Sequence, residues 1–356
     1  MTSPAADTLT PRPIGQAFPH RRARHCAAGA LARMLEHAGL SYGREPVSEA
    51  FAFGLSGGLD FEWTASPRPD PWPAMPSGVW LMGRRIELED MFWEHVGAQV
   101  VIQTSDDPRR GWEWVAEEID AGRPVMLRAE LGEMEYLDVP LRNAHHVLVV
   151  VGYDESRALV SDGETNQLQW CSLACLSRAR AIGRFPTPTE HRSWLVRLPD
   201  QLPPAEDAIR RAVGAAARTM RTAQRDPCGT GEPCGLAAVR SFARDYPDWP
   251  DRFGADLAAA LKRLRFFISH AGTGGGLFRR LQSEFLFDAA ALLDDEALRE
   301  CAHGYARLAR TWTDLARTVR DKDAARGHRA GVPIVASIEE LEHEGVERLE
   351  AAARRL

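Results

Sequence analysis

The chain has 356 residues, of which 44% are hydrophobic and 26% charged; this excludes global disorder and suits two domains of ordinary size. With 44 basic against 50 acidic side chains, a net charge of −6 and a pI near 6.0, it lacks the basic excess of a nucleic-acid binder. A membrane partner is not expected either, because no apolar run reaches the roughly eighteen residues that a spanning helix needs.

Residues 1–19 are polar and proline-containing and read as a flexible tail. They lack the apolar core of a secretory signal, so the six sparse cysteines are expected as reduced thiols in the cytoplasm. Leu31, Met34, Leu35 and Ala38 fall on one helical face after Cys26, and Gly39 is a natural stop. The segment Glu49–Leu55 leads into Gly57 and Gly58. From Trp63 to Trp80 a loop rich in proline and tryptophan follows, and is read as a lid in preference to core-packing aromatics. Strand signals come next at 99–102, 125–129, 147–151, 158–160 and 194–198, with a helix over 112–119. A proline- and acid-containing linker at 199–207 precedes helical patterns at 205–224, 235–245, 253–268, 277–292, 296–320 and 337–354. The chain thus reads as an α+β domain over 20–200 followed by an all-α domain over 201–356.

Chemistry is expected around Cys26. A cysteine opening a helix sits among unpaired N–H groups and a partial positive charge, which favour the thiolate. Taken alone, it reads more readily as a small buried hydrophobe, as most cysteines do. His145 and His146 head the apolar strand, and Asp162 lies on the next one. An imidazole and a carboxylate on neighbouring strands, with a thiol, would make a cysteine triad.

The run His25–Leu31 resembles the nucleophile motif of the butirosin biosynthesis protein H family, and Ser48–Phe61 resembles its glycine-rich stretch ending in phenylalanine. Ala121–Val125 and His146–Asp154 resemble its later blocks, and Gly272–Arg279 the marker of a helical domain often found behind it. The resemblance implies a papain-like cysteine-peptidase fold for the N-terminal domain. It also implies catalytic roles for Cys26, His146 and Asp162, with His146 favoured over His145 because Asp162 follows it by sixteen residues, the spacing in the bacteriocin-processing peptidases that share this fold. Gly57, Gly58, Phe61, Gly274, Gly275 and Arg279 are expected as substrate contacts. An upstream oxyanion donor is not evident, since neither Gln16 nor His20 matches cleanly; the Cys26 backbone N–H is the alternative.

The implied activity is acyl transfer in secondary metabolism. A thioester on an acyl carrier protein or coenzyme A would acylate Cys26, and a small-molecule amine would accept the group. No cofactor is expected beyond the phosphopantetheine arm of the donor. Arg21, Arg22 and Arg24 are candidates for docking an acidic carrier protein by position. Hydrolysis or cyclisation at the same site, and a non-catalytic binding module, are the alternatives. No metal is expected: Cys171, Cys175, Cys228 and Cys234 do not match a standard zinc pattern. Nor does the glycine run at 272–276 have the lysine of a phosphate-binding loop.

Overall fold

A computed structural model of the chain describes residues 12–65, 78–139, 143–182, 188–223 and 233–356. Its elements are, in order, β1 (Arg12–Pro13), α1 (Cys26–His37), α2 (Glu49–Leu55), β2 (Leu59–Thr64), β3 (Trp80–Arg84), α3 (Glu89–His95), β4 (Gln99–Gln103), α4 (Pro108–Asp120), β5 (Val125–Ala129), β6 (His146–Tyr153), β7 (Arg157–Ser161), β8 (Gln169–Ser172), α5 (Leu173–Arg180) and β9 (Ser193–Arg197). Helices follow: α6 (Ala205–Arg221), α7 (Gly235–Asp245), α8 (Trp249–Phe253), α9 (Leu257–Ser269), α10 (Arg279–Leu293), α11 (Glu296–Thr318) and α12 (Ala324–Arg355). An α/β N-terminal region therefore precedes a largely helical C-terminal region. Among the described residues no helix is long and apolar enough to cross a membrane.

The chain divides into two compact units, and the division is not a single cut near residue 200. Unit 1 takes the chain up to His37 together with Val100–Arg197; unit 2 takes Ala38–Gln99 together with Leu198–Leu356. The reason lies in β2, where every residue is buried. A hairpin strand so enclosed needs cover on both faces, and α6 and α7 supply it, while α9 packs on β3.

Unit 1 is a sheet of order β4-β9-β5-β6-β7-β8, with β1 pairing the far end of β6. Helices α1 and α4 pack on β6, whose residues are buried from His146 to Gly152, so its apolar run is continuous instead of alternating. All of β5, which α4 and α5 cover, is likewise buried, including Arg128. Asp154 closes the β6–β7 turn by accepting from the Ser156 and Arg157 N–H groups at 2.9 and 2.7 Å.

The β6–β7 ladder carries a bulge. Tyr153 pairs with Ala158 and Gly152 with Leu159, yet Val150 pairs with Val160 and Val149 with Ser161, leaving Val151 as the extra residue. Continued onward, this register sets Asp162 opposite Leu148, on the face of β6 that His146 shares. Without the bulge Asp162 would lie opposite Val149, on the face of His145.

Unit 2 packs the β2–β3 hairpin into helices. Trp63 stacks on Trp249 at 6.2 Å, and Phe61 stacks on Trp312 at 5.7 Å. The Arg279 guanidinium is fully buried: Nε reaches Glu342 at 2.7 Å, and the other donors reach the carbonyls of Gly83, Leu277 and Asp60.

Several expectations differ from these elements. Of the expected 1–19 tail, residues 1–11 lie outside the described residues, but Arg12 and Pro13 join the sheet and Phe18 is buried. Helix α4 starts earlier than expected because Asp107 caps it and Pro108 suits its first turn. Helix α12 runs through Pro333, which reads in sequence as a barrier. Trp63 and Trp80, the ends of the expected lid, are core residues of β2 and β3, and 66–77 lie outside the described residues.

Candidate active site

Cys26 is the first residue of α1 and is partly exposed. The helix start is capped from the side: His25 Nδ1 accepts from the Ala28 N–H at 3.1 Å. The run-in to the helix is tied to the end of β7, since the Ala23 N–H donates to the Gly163 carbonyl at 2.9 Å. Small residues make that approach possible. A Cβ on Gly163 would stand 2.9 Å from the Ala23 Cβ, and one on Gly29 would stand 2.4 Å from it.

His146 opens β6. A clasp upstream sets its position: Glu130 accepts from the Gly132 and Asn143 N–H groups, and Asn143 Oδ1 accepts from the His145 N–H at 3.1 Å. His146 Nε2 donates to Asp162 Oδ2 at 2.8 Å. Cys26 stands near enough to add to the interactions that favour the protonated ring. With Nε2 committed to the carboxylate, Nδ1 is the atom left to Cys26. Cys26, His146 and Asp162 thus form one relay with partly exposed Cys26 at its end. His145 points elsewhere, and its Nε2 accepts from Arg128 at 3.2 Å.

Charge in this relay is set by competition. Burial opposes the imidazolium of His146, but Asp162 and Cys26 outweigh it and raise its pKa well above the ordinary 6.5. Burial likewise opposes the carboxylate of Asp162, yet His146, the Glu164 N–H and the Tyr136 hydroxyl hold its pKa below the ordinary 3.8. Tyr136 donates to Asp162 Oδ2 at 2.7 Å, and burial together with Asp162 keeps it a phenol. Sequence reasoning missed Tyr136. It lies in an irregular loop between β5 and β6, where no periodicity marks it.

The upstream oxyanion candidates fare differently. Gln16 is exposed in a short 3-10 turn. His20 Nε2 donates to the Thr165 carbonyl at 3.2 Å, so its Nδ1 accepts from the Ser161 hydroxyl at 2.8 Å; both ring nitrogens are used. Arg21 pairs with Glu36 at 2.6 Å, and Arg22 and Arg24 are exposed.

The expected substrate contacts all lie in unit 2, where the structure gives them packing roles. Phe61 and Arg279 are fully buried against each other, the guanidinium 5.9 Å from the ring centroid. Gly58 lets the chain pass Phe53, where a Cβ would come within 2.7 Å of a carbonyl oxygen. Gly57 turns with φ +58 beside Ala215. Gly274 and Gly275 belong to a left-handed run that continues through Gly276, Leu277 and Phe278 into α10. Phe61 and Arg279 present no surface in this structure and pack in the core of unit 2.

Of the four cysteines weighed for zinc, Cys228 lies outside the described residues and Cys234 is buried in unit 2. Cys171 and Cys175 come together in unit 1.

No curated protein matches this chain. The family model of butirosin biosynthesis protein H, N-terminal, matches residues 25–163, which include Cys26, His146 and Asp162. That of the domain of unknown function DUF4872 matches residues 174–349. With the two matches in tandem, the chain belongs to the butirosin biosynthesis protein H-like family, with a domain of unknown function C-terminal to the one that gives the family its name.

Proposed function

We propose that the protein is a cysteine-dependent acyltransferase of secondary metabolism, related in reaction type to antibiotic-biosynthesis enzymes. The observation that carries this reading is that partly exposed Cys26 stands beside His146, which Asp162 holds at 2.8 Å. A papain-like fold for unit 1 is part of the same reading. It is supported by a nucleophile-bearing helix packed on the antiparallel sheet that holds the histidine and the aspartate.

The chemistry runs in two stages. His146 takes the Cys26 proton as the sulfur attacks, as the base of a cysteine triad does. The sulfur attacks the carbonyl of a thioester donor, carried on an acyl carrier protein or coenzyme A, and the C–S bond to the donor breaks. His146 gives its proton to the departing thiol. An amine then attacks the acyl-cysteine, His146 takes the proton that the amine loses, and the Cys26 sulfur leaves as thiolate. Asp162 stays ionised throughout and fixes the imidazole; Tyr136 and the Glu164 N–H fix Asp162. The Cys26 N–H at the helix start is the oxyanion donor best placed by this scheme.

Intact-protein mass spectrometry after incubation with a panel of acyl thioesters tests the reading. The wild type is expected to gain the acyl mass, and Cys26→Ala to gain none. Discharge of the adduct by amines, faster than by water, then separates transfer from hydrolysis. If no thioester loads the chain and Cys26 alkylates no faster than buried Cys301, the acyl-enzyme is refuted.

A further inference from the structure

Behind the relay, unit 1 holds a second cluster of ligand-type side chains that the proposed reaction does not use. Cys171 lies in β8, and Cys175 lies in the first turn of α5. The sharp step between them is set by Ser172, whose hydroxyl accepts from the Cys175 N–H at 3.2 Å and caps the helix. The two sulfurs and a carboxylate oxygen of Glu135, which comes from the β5–β6 loop, lie within 4.8 Å of one another. Both cysteines are buried free thiols, whereas Glu135 is exposed.

We propose that Cys171, Cys175 and Glu135 form a zinc-binding site, with water as the fourth ligand. The donor set decides the metal: two thiolates suit zinc and discriminate against magnesium and calcium, which take oxygen ligands. The carboxylate is already aimed. Its two oxygens accept from the Ser172 N–H at 2.5 Å and the Ser172 hydroxyl at 2.9 Å, the kind of outer contact that orients a metal-binding carboxylate. Exposure of Glu135 gives the ion a route in and leaves room for the water. Cys175 at present donates to the Glu133 carbonyl at 3.0 Å. On binding, each thiol releases its proton to solvent as its zinc–sulfur bond forms. Tyr136 is next in the chain to Glu135, so an ion held there would also brace the phenol that supports Asp162.

The full-length protein, stripped with a chelator under reducing conditions and titrated with Co²⁺ and then Zn²⁺, tests the site. One equivalent of Co²⁺ is expected to give thiolate-to-cobalt absorption in the near ultraviolet, and Zn²⁺ to displace it. Cys171→Ser and Cys175→Ser should each weaken binding more than about a hundredfold, beyond what outer-contact losses cost. Glu135→Gln should weaken it while keeping the sulfur absorption, and Cys26→Ala should bind as the wild type does. Absence of the absorption in the wild type overturns the proposal, as does its survival in the double serine variant or its loss in Cys26→Ala. Should the serine variants fail to fold, X-ray absorption of the zinc-loaded wild type with Cys26 blocked decides. Two sulfur neighbours at about 2.3 Å are expected, and a shell of nitrogen and oxygen alone refutes the site.

Discussion

Each unit buries a pair of opposite charges, and the two pairs behave differently. In unit 2, Arg279 and Glu342 meet at 2.7 Å, both without exposure, and Trp312 Nε1 donates to the same carboxylate at 2.9 Å. In unit 1, His146 and Asp162 meet at 2.8 Å and are equally sealed. The guanidinium ends in backbone carbonyls, so its network closes on itself. The imidazole can gain or lose a proton, and its other nitrogen is left to Cys26, which is partly exposed. A buried ion pair is therefore no sign of chemistry by itself; an exchangeable proton with a route to solvent-reachable substrate is what separates the two.

That contrast can be broken in graded ways. His146→Ala should lower the rate of Cys26 acylation by about 10⁴-fold, the scale on which a triad base acts, with the fold retained by circular dichroism. Glu342→Gln should do the converse. Leaving Arg279 buried without its counter-ion should cost about 3–5 kcal/mol by chemical denaturation, while folded molecules still acylate at the wild-type rate. Gly163→Ala would push Ala23 and the start of α1 away from the end of β7. A misplacement of this size should cost roughly a hundredfold in acylation with little change in substrate affinity. Tyr136→Phe removes one hydrogen bond to a charged acceptor, about 1.5–3 kcal/mol, and should slow acylation by roughly tenfold or more.

The smallest effect is a pH profile. Asp162 has a lowered pKa, so its contribution to stability is present above the ordinary 3.8 and is lost as pH falls through the folded value below it. His146 has a raised pKa, so its contribution is complete below 6.5 and is lost as pH rises through a folded value well above that. The difference in thermal midpoint between wild type and Asp162→Asn should be greatest between these limits and shrink on either side. A flat difference across the range would mean that the pair is not ionised.

The proposed catalytic trio was legible because each member sits at a marked place: a helix start, the head of an apolar strand, and the residue after the next strand. What periodicity could not supply was the choice between His145 and His146. That choice depends on Val151, the bulged residue, and a single-residue bulge inside five consecutive apolar residues leaves no trace in composition. Family spacing carried the same information indirectly. Tyr136 and Glu135 were invisible for another reason: both work across long sequence separations from an irregular loop. The boundary read from the sequence differs from that of the compact units because Ala38–Gln99 reads as a continuation of what precedes it. Only the double-sided burial of β2 shows that its partners come after residue 205.

That discontinuity has a consequence for synthesis. A growing chain makes α1 and its cysteine first, then a hairpin whose cover, α6, α7 and α9, does not yet exist. The sheet that supplies His146 and Asp162 emerges before that cover is made. At roughly 5–20 residues per second, the apolar strands β2 and β3 must wait several seconds for their partners. Truncation near residue 200 would extend that wait indefinitely. The fragment would hold every member of the relay, yet between Cys26 and His146 it would carry an orphaned hairpin in search of another surface.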